Sequence, residues 1–176
     1  MQLEAPLGEI ANTQAQHLAY LLDQGANNSA HSGYTLLHHL IGVQRILQAT
    51  NAADYLCTAG LFHSIYGTQA FKKITVQKFC RPEVQKLIGE KAESLVMAFC
   101  ELPRPKLLEA SLRQTGLTLP PWMMQLDTAY DKSQFFSDLL ALECANLAEQ
   151  RILHEFSLLA QHAQAIGMLD REGFLI

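Results

Sequence analysis

Apolar residues recur along this chain at three- and four-residue offsets between short polar or glycine-containing breaks, a pattern that predicts helix almost throughout. Residues 9–24 place Ile10, Ala11, Leu18, Leu21 and Leu22 on one side, and Gly25 with Asn27-Asn28-Ser29 ends the run. The pattern resumes over 35–49, where Val43, Ile46 and Leu47 follow His39 at helical offsets. Beyond the turn at Asn51–Asp54, a helix over about 53–65 is apolar almost all round (Leu56, Cys57, Ala59, Leu61, Phe62), which predicts a central, fully buried element. Gly67-Thr68 breaks it. Arg81-Pro82-Glu83 reads as a helix start, with proline in the first turn where its missing N–H costs nothing. Helices over 82–88 and 90–102 follow, before Pro103 and Pro105. The segment 112–128, with Gly116, Pro120, Pro121 and Trp122, predicts a loop or small strand pair. A long helix runs from about Ser133 to Phe156, and 157–167 either extends it or forms a last helix.

At 176 residues the chain is most simply one domain over 1–176, and its periodicity makes that domain all-α. The 49% hydrophobic and 17% charged content supplies a substantial core. A net charge of -4 leaves no basic footprint for nucleic acid, and Lys72-Lys73 is too short for a polybasic membrane patch. That pair could attract an anionic substrate, although a solvated pair is the simpler reading. No apolar run is long enough to cross a bilayer and no signal-like start is present, so the expected location is cytoplasmic. Cys57, Cys80, Cys100 and Cys144 are widely spaced, which predicts reduced thiols. Cys57 or Cys144 could in principle act as a nucleophile, but each lies in an apolar run without a neighbouring base.

Candidate chemistry concentrates in two histidine segments, His31-Ser-Gly-Tyr-Thr-Leu-Leu-His38-His39 and Ala59-Gly-Leu-Phe-His63-Ser64-Ile-Tyr66-Gly-Thr68. Adjacent His38 and His39 diverge by about 100° on a helix, so they do not bind the same ion. His39 shares the core-facing side with Val43 and Ile46, whereas His38 falls at the rim with Gly42 and Arg45. Gly60 and Ala59 let another helix approach near His63. In the long helix, Glu143, Asn146, Leu147 and Gln150 form one stripe. A carboxylate within Leu139-Leu-Ala-Leu-Glu143-Cys-Ala is expensive to bury without a metal or a histidinium beside it. His17, His154 and His162 stand singly on amphipathic helices and read as surface or capping groups, and Trp122 beside Met123 and Met124 reads as a lid over the core.

These segments resemble the HD-domain metal phosphohydrolase superfamily, most closely its guanosine-tetraphosphate hydrolase branch. Ser32-Gly33 precedes His39 as a Ser-Gly precedes a metal-binding histidine there, and Ala59–His63 is similar to the family's Ala-Ala-Leu-Leu-His-Asp segment. The resemblance covers roughly residues 10–155 and is strongest over 31–68 and 133–155. It implies an HD-domain-like helical bundle in which His39 and His63 are metal ligands and Glu143 takes the place of a final aspartate. Ser64 stands where that family carries its eponymous aspartate, and Ile65-Tyr66-Gly67 stands where the hydrolases carry an acidic pair. A hydroxyl is a weak ligand for a hard divalent cation, so guanosine-tetraphosphate hydrolysis is not expected.

Two expectations follow. In one, His39, His63 and Glu143, with His31 or His38, hold a single divalent metal (Mn, Fe or Zn) in a hydrolase- or oxygenase-type enzyme acting on a small molecule, phosphorylated or not. Tyr66 would then donate a proton or meet an oxyanion, and Thr68 or Asn146 would orient the substrate. In the other, the same residues are a buried hydrogen-bonded cluster in a non-catalytic binding or assembly module. A chain this apolar can bury helix faces between two copies, so a homodimer is a further expectation.

Overall fold

The computed structural model describes residues 7–28, 30–31, 34–68, 74–126 and 128–176; side-chain placement is described for all of these except 7–11, 28, 30, 31 and 34. Eight helices are present among them: α1 (Leu7–Asp23), α2 (Leu36–Ala49), α3 (Asp54–Phe62), α4 (Arg81–Ile88), α5 (Glu90–Glu101), α6 (Lys106–Thr115), α7 (Lys132–Glu149) and α8 (Ser157–Ala165). Two two-residue strands, β1 (Ala30–His31) and β2 (Tyr34–Thr35), pair antiparallel just before α2. The fold is all-α, as the periodicity predicts.

α7 is the axis of the molecule. Leu139, Leu140, Leu142, Cys144, Ala145 and Leu147 are all buried, because α2, α3, α5 and α8 pack around it. α3 is the second buried element, with Leu56, Cys57, Ala59, Leu61 and Phe62 enclosed. Its close approach to α2 depends on Gly60: a Cβ there would lie 2.7 Å from the Leu47 Cδ1 and 3.4 Å from the Val43 Cγ1. α2 begins at Thr35, whose hydroxyl accepts from the His38 N–H at 3.3 Å, and α7 begins at Asp131, whose carboxylate accepts from the Ser133 and Gln134 N–H groups at 3.0 Å each. Both are N-caps that satisfy otherwise unpaired amides.

Several boundaries differ from the periodicity. α3 stops at Phe62, and residues 63–66 form buried turns in place of a helix to 65. The loop or strand pair expected over 112–128 is the end of α6 followed by a 3-10 turn at Pro121–Gln125. That turn is tied down by Lys132, whose ammonium donates to the carbonyls of Met123, Met124 and Leu126 at 3.1, 2.9 and 2.9 Å. The long helix ends at Glu149 rather than Phe156. Arg151 takes a left-handed conformation (φ 61°), and the Ile152 N–H donates back to the Leu147 carbonyl at 3.0 Å, so α8 is a separate helix. Leu22, placed on the apolar side of α1 by spacing, is 49% exposed.

Candidate functional site

His39 and His63 are brought together at the α2–α3 contact. His39 lies on the buried face of α2, and His63 caps the C-terminal end of α3; both are essentially inaccessible to solvent. Their Nε2 atoms stand 3.1 Å apart, with rings 5.0 Å between centroids and 75° between planes. Each ring is held from behind. The His63 Nδ1–H donates to the Gly60 carbonyl at 2.8 Å, and the His39 Nδ1 is in a short contact with the Glu149 carboxylate at the end of α7. Glu149 is 24% exposed, so it links the buried pair to solvent.

The proton inventory of this chain is informative. A carbonyl can accept but not donate, so His63 carries its proton on Nδ1 and turns a lone pair on Nε2 toward His39. If the Glu149 carboxylate accepts from the His39 Nδ1–H, His39 also turns an Nε2 lone pair inward. Two lone pairs at that distance repel unless a cation, a proton or a metal ion, neutralises them. Anchoring of the distal ring nitrogen by a carboxylate and by a backbone carbonyl is the arrangement that fixes histidine ligands at metal centres.

Gly42 makes the Glu149 contact sterically allowed. A Cβ at Gly42 would fall 2.8 Å from the Glu149 Cγ and 3.0 Å from its Oε1. Phe99 packs edge-on against His63 at 4.9 Å and also carries the Arg104 guanidinium 3.4 Å from its ring centroid.

The remaining expected site residues are placed as follows. Glu143 is fully buried, but Arg104 holds it, at 3.1 and 3.3 Å; an arginine, and neither a metal nor a histidinium, satisfies this carboxylate. Burial pushes the Glu143 carboxyl above its ordinary value, and Arg104 opposes that shift. Asn146 is occupied by Glu143 (3.5 Å) and by the Gln150 amide (2.8 Å). Tyr66 is buried and donates its hydroxyl to Glu93 at 3.2 Å, and Glu93 is also gripped by Arg81 at 2.8 Å to each oxygen and by Gln85 at 3.0 Å. Thr68 and Ser64 are buried in the segment after α3, and His38 is exposed on the outer face of α2. The side chain of His31 and the pair Lys72-Lys73 lie outside the described residues.

His17, read as a surface or capping group, is instead buried, edge-on to Phe62 at 5.4 Å and with its Nε2 3.2 Å from the Leu87 carbonyl. Trp122 donates to the Ser111 hydroxyl at 2.9 Å and packs on Phe136, which fits the lid expectation. Cys57 and Cys144 are buried thiols, and burial raises both above the ordinary range, Cys57 to about 11. No group of three or more His, Cys, Asp or Glu side chains suited to a metal is present among the described residues. The histidine pair therefore offers two nitrogen donors, one fewer protein ligand than a catalytic zinc centre commonly has.

Sequence reasoning missed Glu149 and selected Glu143. Six residues apart, the two point in directions about 120° apart around α7. The available signal was Gly42, one turn beyond His39 on α2, a missing side chain where a partner helix must supply a group.

Residues 20–104 match the model of a family described as a domain of unknown function, DUF6817. The match spans just under half of the chain; it includes His39, His63 and Arg104 and stops short of Glu143 and Glu149. No curated protein and no solved structure matches the chain.

Proposed function

We propose that this chain is a divergent metal-dependent enzyme built on an HD-like helical bundle and acting on a small molecule, with His39 and His63 as its metal-holding pair. The observation that carries this reading is the facing Nε2 pair, each ring being anchored through its other nitrogen by Glu149 or the Gly60 carbonyl. A bound divalent metal would supply Lewis acidity and lower the pKa of coordinated water. The chain's own residues do the rest. Glu149 fixes the His39 tautomer, Gly42 leaves room for it, and Phe99 shields the His63 ring from water. Remaining coordination positions would fall to water and substrate, which would have to reach the enclosed pair past the partly exposed Glu149.

The test is elemental analysis of protein purified without chelator under reducing conditions, then titration of the metal-free protein with Mn(II), Fe(II) and Zn(II). The expected result is about one metal per chain, lost in H39A and in H63A, with E149Q weakening affinity about 10- to 100-fold. Metal-free protein that takes up none of the three ions overturns the reading.

The absence of a third converging donor among the described residues, and the diversion of Glu143 to Arg104, favour a second reading. In it one proton bridges the histidines, the pair is structural, and the chain is a non-catalytic binding module. H63A would then lower the melting temperature in protein that binds no metal.

A further inference from the structure

At the opposite end of α7 from its Asp131 cap, the last turn, the 3-10 turn at Leu153–Glu155, α8 and the C-terminal tail enclose a groove of about 520 Å³. Leu153, Ala160, Phe174 and Leu175 give it apolar walls, and Arg151 and His154 add basic groups exposed to solvent. No acidic side chain lines it among the described residues. The volume falls within the range of roughly 300–1,000 Å³ typical of small-molecule sites. The tail wall is built: the Leu169–Leu175 bridge, the Asp170 N–H to Phe174 carbonyl bond at 2.8 Å and the Asp170 carboxylate accepting from the Glu172 and Phe174 amides hold it in place.

Arg151 is the unusual element. It occupies the left-handed position that closes α7, where glycine is the favoured residue because a Cβ is strained there. Its guanidinium is paired with no carboxylate among the described residues. A left-handed backbone that places a solvent-exposed arginine at the edge of an apolar groove, with no carboxylate partner among the described residues, is the pattern of a residue kept for a ligand.

We propose that this groove binds a linear aliphatic monocarboxylate, its chain lying between Leu153, Ala160, Phe174 and Leu175 and its carboxylate taken by Arg151 with His154 alongside. The apolar walls match a hydrocarbon chain, and a guanidinium fork matches a carboxylate in a two-point contact. Neither histidine of the buried pair lines this groove.

Octanoate and 1-octanol, titrated calorimetrically into the full chain below micellar concentrations, provide the test, with amide NMR to locate the site. Octanoate should bind saturably at one equivalent, shift the Leu169–Leu175 amides, and bind at least tenfold more tightly than octanol. R151G should weaken octanoate at least tenfold while leaving the melting temperature unchanged or higher, since glycine relieves the left-handed strain. A160F should remove binding of both ligands. The proposal is overturned by absence of saturable binding, by equal affinity for octanol, by an unchanged affinity in R151G, or by amide shifts confined to another part of the molecule.

Discussion

Glu143 illustrates how a single buried charge depends on one neighbour. It has no solvent contact, and Arg104, itself 8% exposed, supplies its countercharge from the segment between α5 and α6. Removing one partner of a buried pair strands the other, at a typical cost of about 3–5 kcal/mol. R104L should therefore lower stability by about that amount, read by denaturant unfolding. Without the guanidinium, burial is opposed only by the Asn146 amide, and the Glu143 carboxyl rises further above its unfolded value. A raised carboxyl stabilises the native state below its unfolded pKa and loses that contribution as pH rises, so the R104L deficit should be smaller at pH 5 than at pH 8. An equal deficit at both would count against burial as the cause. Spacing revealed that Glu143 is buried but not what it meets, because Arg104 lies 39 positions away in a proline-flanked stretch with no periodicity to relate the two. His39 was legible for the opposite reason: its face is set by local offsets along α2.

At the level of elements, the α2–α7 contact decides whether Glu149 reaches His39. G42A places a methyl within 2.8 Å of the Glu149 Cγ, and α2 cannot retreat without disturbing its packing on α3. The carboxylate must swing away. G42A should lose the downfield proton NMR signal of the His39 Nδ1–H, at a stability cost of about 1–3 kcal/mol typical of overpacking. A retained signal would show that Glu149 has room to spare. Most helices were legible because their apolar stripes are local, and the buried run in α3 marked it as central. α6 was lost because Pro103 and Pro105 read as breakers, yet Pro105 also stands at the position that starts the next helix. The end of α7 was hidden because its left-handed residue is an arginine and not a glycine. The closure there is made by backbone bonds, from the Arg151 N–H to the Ala148 carbonyl and from the Ile152 N–H to the Leu147 carbonyl at 3.0 Å each, which leave no mark on side-chain composition.

Across the molecule, burial of thiols and phenols sets the alkaline limit of stability. Burial raises the Cys57 thiol to about 11 and the Tyr55 hydroxyl to about 12, the latter with help from Asp138; Tyr66, Tyr130 and Cys144 shift the same way. Their unfolded counterparts ionise at about pH 8.5 for the thiols and about pH 10 for the phenols. In that range the native state holds more protons than the unfolded chain, so stability falls as pH rises. The melting temperature should be level from about pH 7 to 7.5 and decline steadily between about pH 8 and 11, and C57A should recover about 2 kcal/mol of that loss. A melting temperature constant to pH 11 would refute the assignment of these groups as buried. Composition indicated a core large enough to enclose them; which thiols and phenols enter it is fixed by how α3, α5 and α7 meet.

One contact gives the C-terminal region its dependence on the rest. α8 has no side-chain cap of its own at Phe156; Glu109 of α6 supplies it, accepting from the Leu158 and Leu159 amides at 3.1 and 3.0 Å. Nine residues are too few to hold a helix in isolation. α8 is thus a conditional element, formed when α6 is docked and released when it is not. The groove beside it inherits that condition and works as a logical conjunction, open for binding only while two segments nearly fifty residues apart in sequence agree.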